Sequence, residues 1–321
     1  MIQSLAALMA VLALGGAQDP VQDPPSPAVQ LEDVEVIARA RAERAREFVG
    51  EVAALARGRG LGRWPKICPG IANLDRAVAQ PIVDRLAARA GELGIEVEGP
   101  GCEANIIVVF TADAGNLTRA LVEAEPRVFR GQGGGIDRGG AALRAFQAGE
   151  RPVRWWSLSV PINTETGQRA VRIAGDRSSG HVDPRVADIL RCNPQDCVGA
   201  GAPIIQSHGG ASRLNSQIVD QLYKSIVIVD IDSVSGLNAA QLGDYLAMVT
   251  LAQVDLEADT APFDTVLNLF EDPSSVTGMT DWDWSYLSAL YDSTSRRRSA
   301  AAQATAVAFI MARAPPPEPE E

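Results

Sequence analysis

Apolar positions along this chain fall into alternating helical and extended runs, and these set the first expectations. Residues 32 to 57 carry Ala, Arg and Glu at helical spacing up to "GRGLG", an amphipathic helix with a glycine stop. "GRWPKICPGI" reads as extended, and Asn73 is placed to cap a helix from Leu74 to Leu93. In that helix Val78, Ile82, Leu86 and Ala90 recur every four residues. "IEVEG" and "ANIIVVFTAD" are β-runs, the second long and apolar enough to be central. Short helices follow at Leu117 to Val122 and Ala141 to Ala148, separated by the Gly-rich "RGQGGGIDRGG". "RPVRWWSLSVPIN" and "RAVRI" read as paired strands joined by "TETGQ", and residues 174 to 211 as irregular.

After the strand "KSIVIVDIDSV" the pattern turns helical over 238–257, 263–270, 280–291 and 299–312. Asn238 with Gln241 three residues on forms a capping-box pattern. The helix behind it has only a narrow polar edge, so it is expected beneath a sheet. Strands in the first two thirds and helices in the last third predict an α+β fold: a mixed sheet with packed helices and a helical C-terminal region. One domain is expected over 31–313, between a Pro-rich polar linker at 18–30 and an acidic tail at 314–321, both disordered.

Composition narrows the setting. With 321 residues, 46% of them hydrophobic, the chain can bury a sizeable core. Leu5 to Leu14 form an apolar run of ten followed by Gly15-Gly16-Ala17, which reads as a signal peptide over 1–17. No Lys or Arg precedes the run, so a buried N-terminal helix is the alternative. The run is too short to span a bilayer, which takes ~20 apolar residues. A soluble periplasmic or secreted product without a membrane span is therefore expected. Four cysteines suit an oxidising compartment, and the expected pairing is Cys68 with Cys102 and Cys192 with Cys197, around "NPQD". A zinc site fits the C-x4-C spacing poorly.

From Asp220 to Asp292 there are 13 acidic residues and one basic residue, Lys224. That stretch is expected to repel nucleic acid, and it is either a solvated acidic face or a surface for a cationic partner.

The candidate chemistries are thin. His181 and His208 are the only histidines, 27 residues apart. His208 in "QSHGGAS" has Ser207 and Ser212 beside it, but no G-x-S-x-G elbow occurs. "GQGGGIDRGG" lacks the Lys-Ser/Thr of a phosphate-binding P-loop. "DWDWSYL" reads as a helix start with acidic residues at its positive end rather than a catalytic carboxylate pair, and Trp282 and Trp284 as packing residues. Trp155 and Trp156 differ from these, because neighbours on a strand face opposite ways. One of them is expected to be exposed and, flanked by Arg154, able to stack on a ligand; Arg154, Trp155 and Trp156 are the candidate ligand-binding residues.

"FDTVLNLFEDPSSVTGMTDWDWSYLSALYD" resembles the tail of a family of exported bacterial proteins of unknown function that are distantly similar to zincin-like metallopeptidases. The resemblance covers about the last hundred residues, and the rest only by element order: mixed sheet, edge strand, long buried helix, helical C-terminal region. It implies a zincin-like core. Zincin catalysis needs His-Glu-x-x-His on the long helix, and residues 238–256 hold neither His nor Glu. No metal, no other cofactor and no zinc peptidase activity are expected. The expected function is binding of a peptide, protein or envelope ligand beside the edge strand, by β-augmentation. The alternative is a metal-independent hydrolase using His208 or the acidic residues Asp230, Asp232 and Asp244, which requires two of them in one cleft.

Overall fold

In chain order the elements are α1 (Leu31–Val52), β1 (Lys66–Ile67), β2 (Pro69–Ala72), α2 (Arg76–Glu92), β3 (Glu96–Val97), β4 (Ile106–Thr111), α3 (Ala114–Ala124), α4 (Pro126–Phe129), α5 (Gly140–Ala148), β5 (Val153–Asn163), β6 (Arg172–Ile173), β7 (Ile204–Ile205), β8 (Ile218–Asp230), α6 (Ala239–Leu251), α7 (Asp281–Tyr291) and α8 (Ala300–Arg313). They come from a computed structural model that describes residues 31–54, 60–129, 138–164, 167, 172–173, 204–205, 218–295 and 299–314. Residues 1–30, with the signal reading and the linker, lie outside that set, as does the tail beyond Ala314. Among the described residues no helix is long and apolar enough to cross a membrane.

The fold is α+β. Its main sheet has the order β2-β4-β8-β5, with β2, β4 and β8 parallel and β5 antiparallel against β8. β4 alternates buried and half-buried residues, and Ile226 to Val229 of β8 are all buried, as a central strand covered on both faces demands. α6 follows β8 and packs along α2 on one face. Trp156 packs with Phe129 of α4 and Phe146 of α5, which places those helices on the other face. α1, α7 and α8 complete the helical side, where the Phe48 ring meets Phe263, Trp282 and Tyr286 edge-on at 5.1, 5.9 and 5.5 Å. The buried apolar side chains form one contiguous cluster.

The pairing of β5 corrects the sequence expectation. The described part of "RAVRI", Arg172–Ile173, pairs in parallel with β7, whereas β5 runs against β8 from Val153↔Val229 to Asn163↔Ile218, with an irregularity at Leu158/Ser159. Eleven residues of β5 can ladder along the thirteen of β8, which a two-residue strand cannot match. The 263–270 helix is reduced to a 3-10 turn at Val266–Asn268. α2 starts from Asp75, whose side chain accepts the Ala77 N–H, while Asn73 occupies the left-handed region at φ 60°.

Cys68 and Cys102 are bridged, with Cα atoms 6.1 Å apart and 34 positions between them in sequence. The bridge ties the β1–β2 junction to the segment after β3. Cys192 and Cys197 lie outside the described residues. Closing a loop of that length restricts the unfolded chain by about 4 kcal/mol. Cys68→Ala/Cys102→Ala is therefore expected to lose about 4 kcal/mol in urea unfolding, and no change in midpoint on reduction would contradict it.

Candidate functional site

Strand β5 places the three sequence-chosen residues on two faces. Trp155 lies on the α6 side, its ring 6.2 Å from that of Tyr245, and its indole N–H donates to the Val254 carbonyl at 2.9 Å. Trp156 lies on the opposite side, donating to the Phe129 carbonyl at 2.9 Å. The two rings are 6% and 3% exposed, so the expectation that one would be open to solvent is not met. Alternation separates the faces as expected, but helices cover both. Arg154 is buried as well, and approaches Gly115 and Arg119 of α3. The three residues do not share one site.

The sequence reading missed the cleft on the α6 side. It has a volume of about 690 Å³ and lies where the end of α5, the start of β5, the chain leaving α6 and the 3-10 turn converge. Its floor is aromatic: Trp155, Tyr245 and Phe270, the last two edge-on at 5.0 Å. Burial pushes the Tyr245 phenol up, so it stays neutral. The described walls carry Glu150, Asp255, Glu257, Asp259 and Glu271 against a single cation, Arg151. Asp255 is paired with Arg138, and Asp259 is tied into its own turn by the Ala261 N–H. Glu150, Glu257 and Glu271 are exposed at its rim and hold no ion pair among the described residues. The available signal was the acidic run "DLEAD" directly behind the buried helix, with an isolated Tyr on that helix.

The carboxylates considered for catalysis lie elsewhere. Asp244, on α6, is fully buried and accepts from Arg85 Nε and Nη2, both at 2.7 Å, from Arg89 Nε at 2.8 Å and from the Met279 N–H at 3.0 Å. Burial alone would raise its pKa, but the two arginines and then the Met279 amide outweigh it and hold it at about 2. Asp230, at the end of β8, accepts the Asp232 and Ser233 amides within its own turn. Asp230, Asp232 and Asp244 do not line the cleft. His181, His208, Ser207 and Ser212 lie outside the described residues. Among the described residues no group of three His, Cys, Asp or Glu side chains could hold a metal ion.

Asp283 in "DWDWSYL" completes the capping box of α7 with Thr280. It also accepts the Thr265 hydroxyl and the Val266 N–H, which ties α7 to the 3-10 turn. Burial raises its pKa to about 6, with the hydrogen bonds from Thr265, Thr280 and Val266 opposing only part of that rise. Trp282 packs on Phe48 beneath Arg41, and Arg89 stands over Trp284, so both rings are packing residues.

Set against protein-family models, curated proteins and solved structures, the chain matches none of them.

The two buried carboxylates give opposite pH dependences. Asp244, with its pKa depressed, contributes stability above the unfolded value of 3.8, which is lost as pH falls toward 2. Asp283, with its pKa raised, favours the folded state most below 3.8, and that contribution disappears as pH climbs to 6. Urea unfolding across this range is expected to show stability declining by about 3 kcal/mol from pH 4 to 6, and Asp283→Asn is expected to flatten the decline. Asp244→Ala leaves two guanidinium groups without their partner and is expected to lose about 3–5 kcal/mol at neutral pH.

Proposed function

We propose that this is an exported, non-catalytic binding protein with a zincin-like core, and that its cleft holds a basic, peptide-like ligand. The observation that carries the reading is the cleft itself: an aromatic floor of Trp155, Tyr245 and Phe270 beneath walls with five carboxylates and one guanidinium. Aromatic faces favour a cation above them, and carboxylates around a partly enclosed space strengthen that preference. A lysine or arginine side chain satisfies both, with its methylenes on the rings and its charge at the rim.

Three further features support the reading. An antiparallel edge strand, then a strand leading into a long buried helix, then a helical C-terminal region is the element order expected of a zincin-like core. α6 carries Tyr245 toward the cleft, with no His or Glu on the helix. The Cys68–Cys102 bridge suits an oxidising compartment. The mode of binding differs from β-augmentation. Val153 to Val160 of β5 are buried throughout, so the ligand contacts the start of the strand by its side chains rather than extending the sheet.

Titration with a short Lys- and Arg-containing peptide, followed by tryptophan fluorescence, tests this. Saturable binding that weakens as salt rises is expected, because the attraction at the rim is screened. Glu257→Gln/Glu271→Gln is expected to weaken it by ~10-fold, the equivalent of about 1.4 kcal/mol. Equal affinity for an acidic peptide, or an unaffected double variant, would overturn the reading. Cleavage of the peptide would replace it with the hydrolase alternative.

A further inference from the structure

A second site lies on the opposite face of the sheet. Arg154 is 6% exposed, and its Nε and Nη1 are buried without a hydrogen-bond acceptor. A buried guanidinium with open donors is costly, since a charge removed from water needs a partner. The groups around it do not supply one. Asp113 accepts from the Asn116 backbone and side-chain amides in capping α3, and Asp230 is committed to its own turn. Glu150 acts on Arg154 only through its charge. Asp113 and Asp230 likewise act on it only through their charge, and a second cation, Arg119, also converges on Gly115. Burial, and after it the Arg119 charge, lowers the Arg154 pKa from its ordinary value.

Gly115 is the second residue of α3, and its position marks the meeting point. A Cβ built there would stand 3.5 and 3.8 Å from the terminal nitrogens of Arg119 and 3.6 Å from Nη1 of Arg154. Helix α3 begins behind that point, and its cap takes up the Asn116 N–H, leaving the Ala114 and Gly115 amides without an acceptor among the described residues. β4 leads into α3, and β4 and β8 end side by side at Thr111↔Asp230. This is the carboxyl end of the parallel strands, where open sheets with helical connections place anionic ligands.

We propose that Arg154, Arg119 and the first turn of α3 form a site for a tetrahedral oxyanion of the phosphate class. Donors approach from two side chains and one helix end, which matches an anion with oxygens in several directions better than a planar carboxylate. Asp113 and Asp230 nearby limit the affinity to the range of ~0.1–1 mM for inorganic phosphate.

Calorimetric titration with inorganic phosphate, at ionic strength held constant with chloride, tests the site in the full chain. One saturable site is expected. Arg154→Met removes the buried donors and is expected to weaken binding by ~10-fold or more. Because it also removes an unpartnered buried charge, its melting temperature without phosphate is expected to equal or exceed that of the parent. Gly115→Ala provides an independent variant: the methyl meets the three nitrogens at ordinary contact distance, so the helix forms, but it fills the space needed by the anion. It is expected to lose binding to the same degree. Glycerol phosphate distinguishes the sources: tighter binding than inorganic phosphate assigns the site to a phosphomonoester, weaker binding to the free ion. An absence of saturable heat in the parent overturns the proposal. Binding by both variants at parental strength also overturns it, since that would be an adventitious ion only.

Discussion

Burying α6 within the protein is the constraint on which the rest of the structure depends. Every residue from Gln241 to Leu251 is buried; the Thr250 hydroxyl donates to the Leu246 carbonyl within the helix, while Asp244 and Gln241 need partners from other elements. Asp244 obtains two arginines from α2 and the Met279 amide, and the close approach this requires accounts for two glycines. A Cβ at Gly243 would stand 2.7 Å from Arg85 Cβ, and one at Gly278 would stand 2.6 Å from Asp244 Oδ2. Gln241 donates to the Pro273 and Val276 carbonyls at 3.0 and 2.8 Å. At the other end, the Thr250, Leu251 and Val254 carbonyls accept from the Trp64 indole, the Tyr291 hydroxyl and the Trp155 indole. Elements from across the chain are thereby fastened to one helix.

Those terminal contacts also shape the cleft. A helix end inside a core leaves carbonyls that water cannot reach, and here large amphipathic side chains take that role. Trp155 satisfies Val254 and, in doing so, lays its ring beside Tyr245. Val254 lies three residues past the end of α6, so the cleft floor depends on how the chain leaves that helix. The chain then turns outward through Asp255 to Ala261 and brings its carboxylates to the wall. Structural contacts and the cleft lining thus share residues: Tyr245 stands on a helix without His or Glu and still lines the cleft.

Much of the frame was legible in the sequence because it rests on local rules. The Asn238–Gln241 box forms as its spacing implies, and "DWDWSYL" opens a helix as read. The apolar runs at 106–111 and 226–229 are central strands. The readings that failed depended on non-local facts. The partner of β5 was taken from the nearest extended segment, whereas β8, more than fifty residues along, offers the longer ladder. α6 was carried to residue 257, but the Trp64 indole and the Tyr291 hydroxyl donate to its last carbonyls, and it stops at Leu251. The exposure of Trp155 or Trp156 could not be judged from alternation, because alternation separates the faces of a strand without saying what covers them. The partners of Asp244 and the space at Gly115 arise from helices approaching one another, for which one-dimensional spacing carries no signal.

The distribution of charge follows from the same geometry. Arg154 and Trp155 are neighbours in sequence, yet the two-residue period of β5 sends one toward α3 and the other toward α6. The Arg154 guanidinium and the acidic cleft therefore lie on opposite faces of the sheet. Glu150 stands between the two, lining the cleft while acting on Arg154 through its charge. Sliding β5 by one residue against β8 would exchange the faces and bury each group in the wrong field. The ladder from Val153 to Asn163 thus fixes at once which face each of these side chains takes.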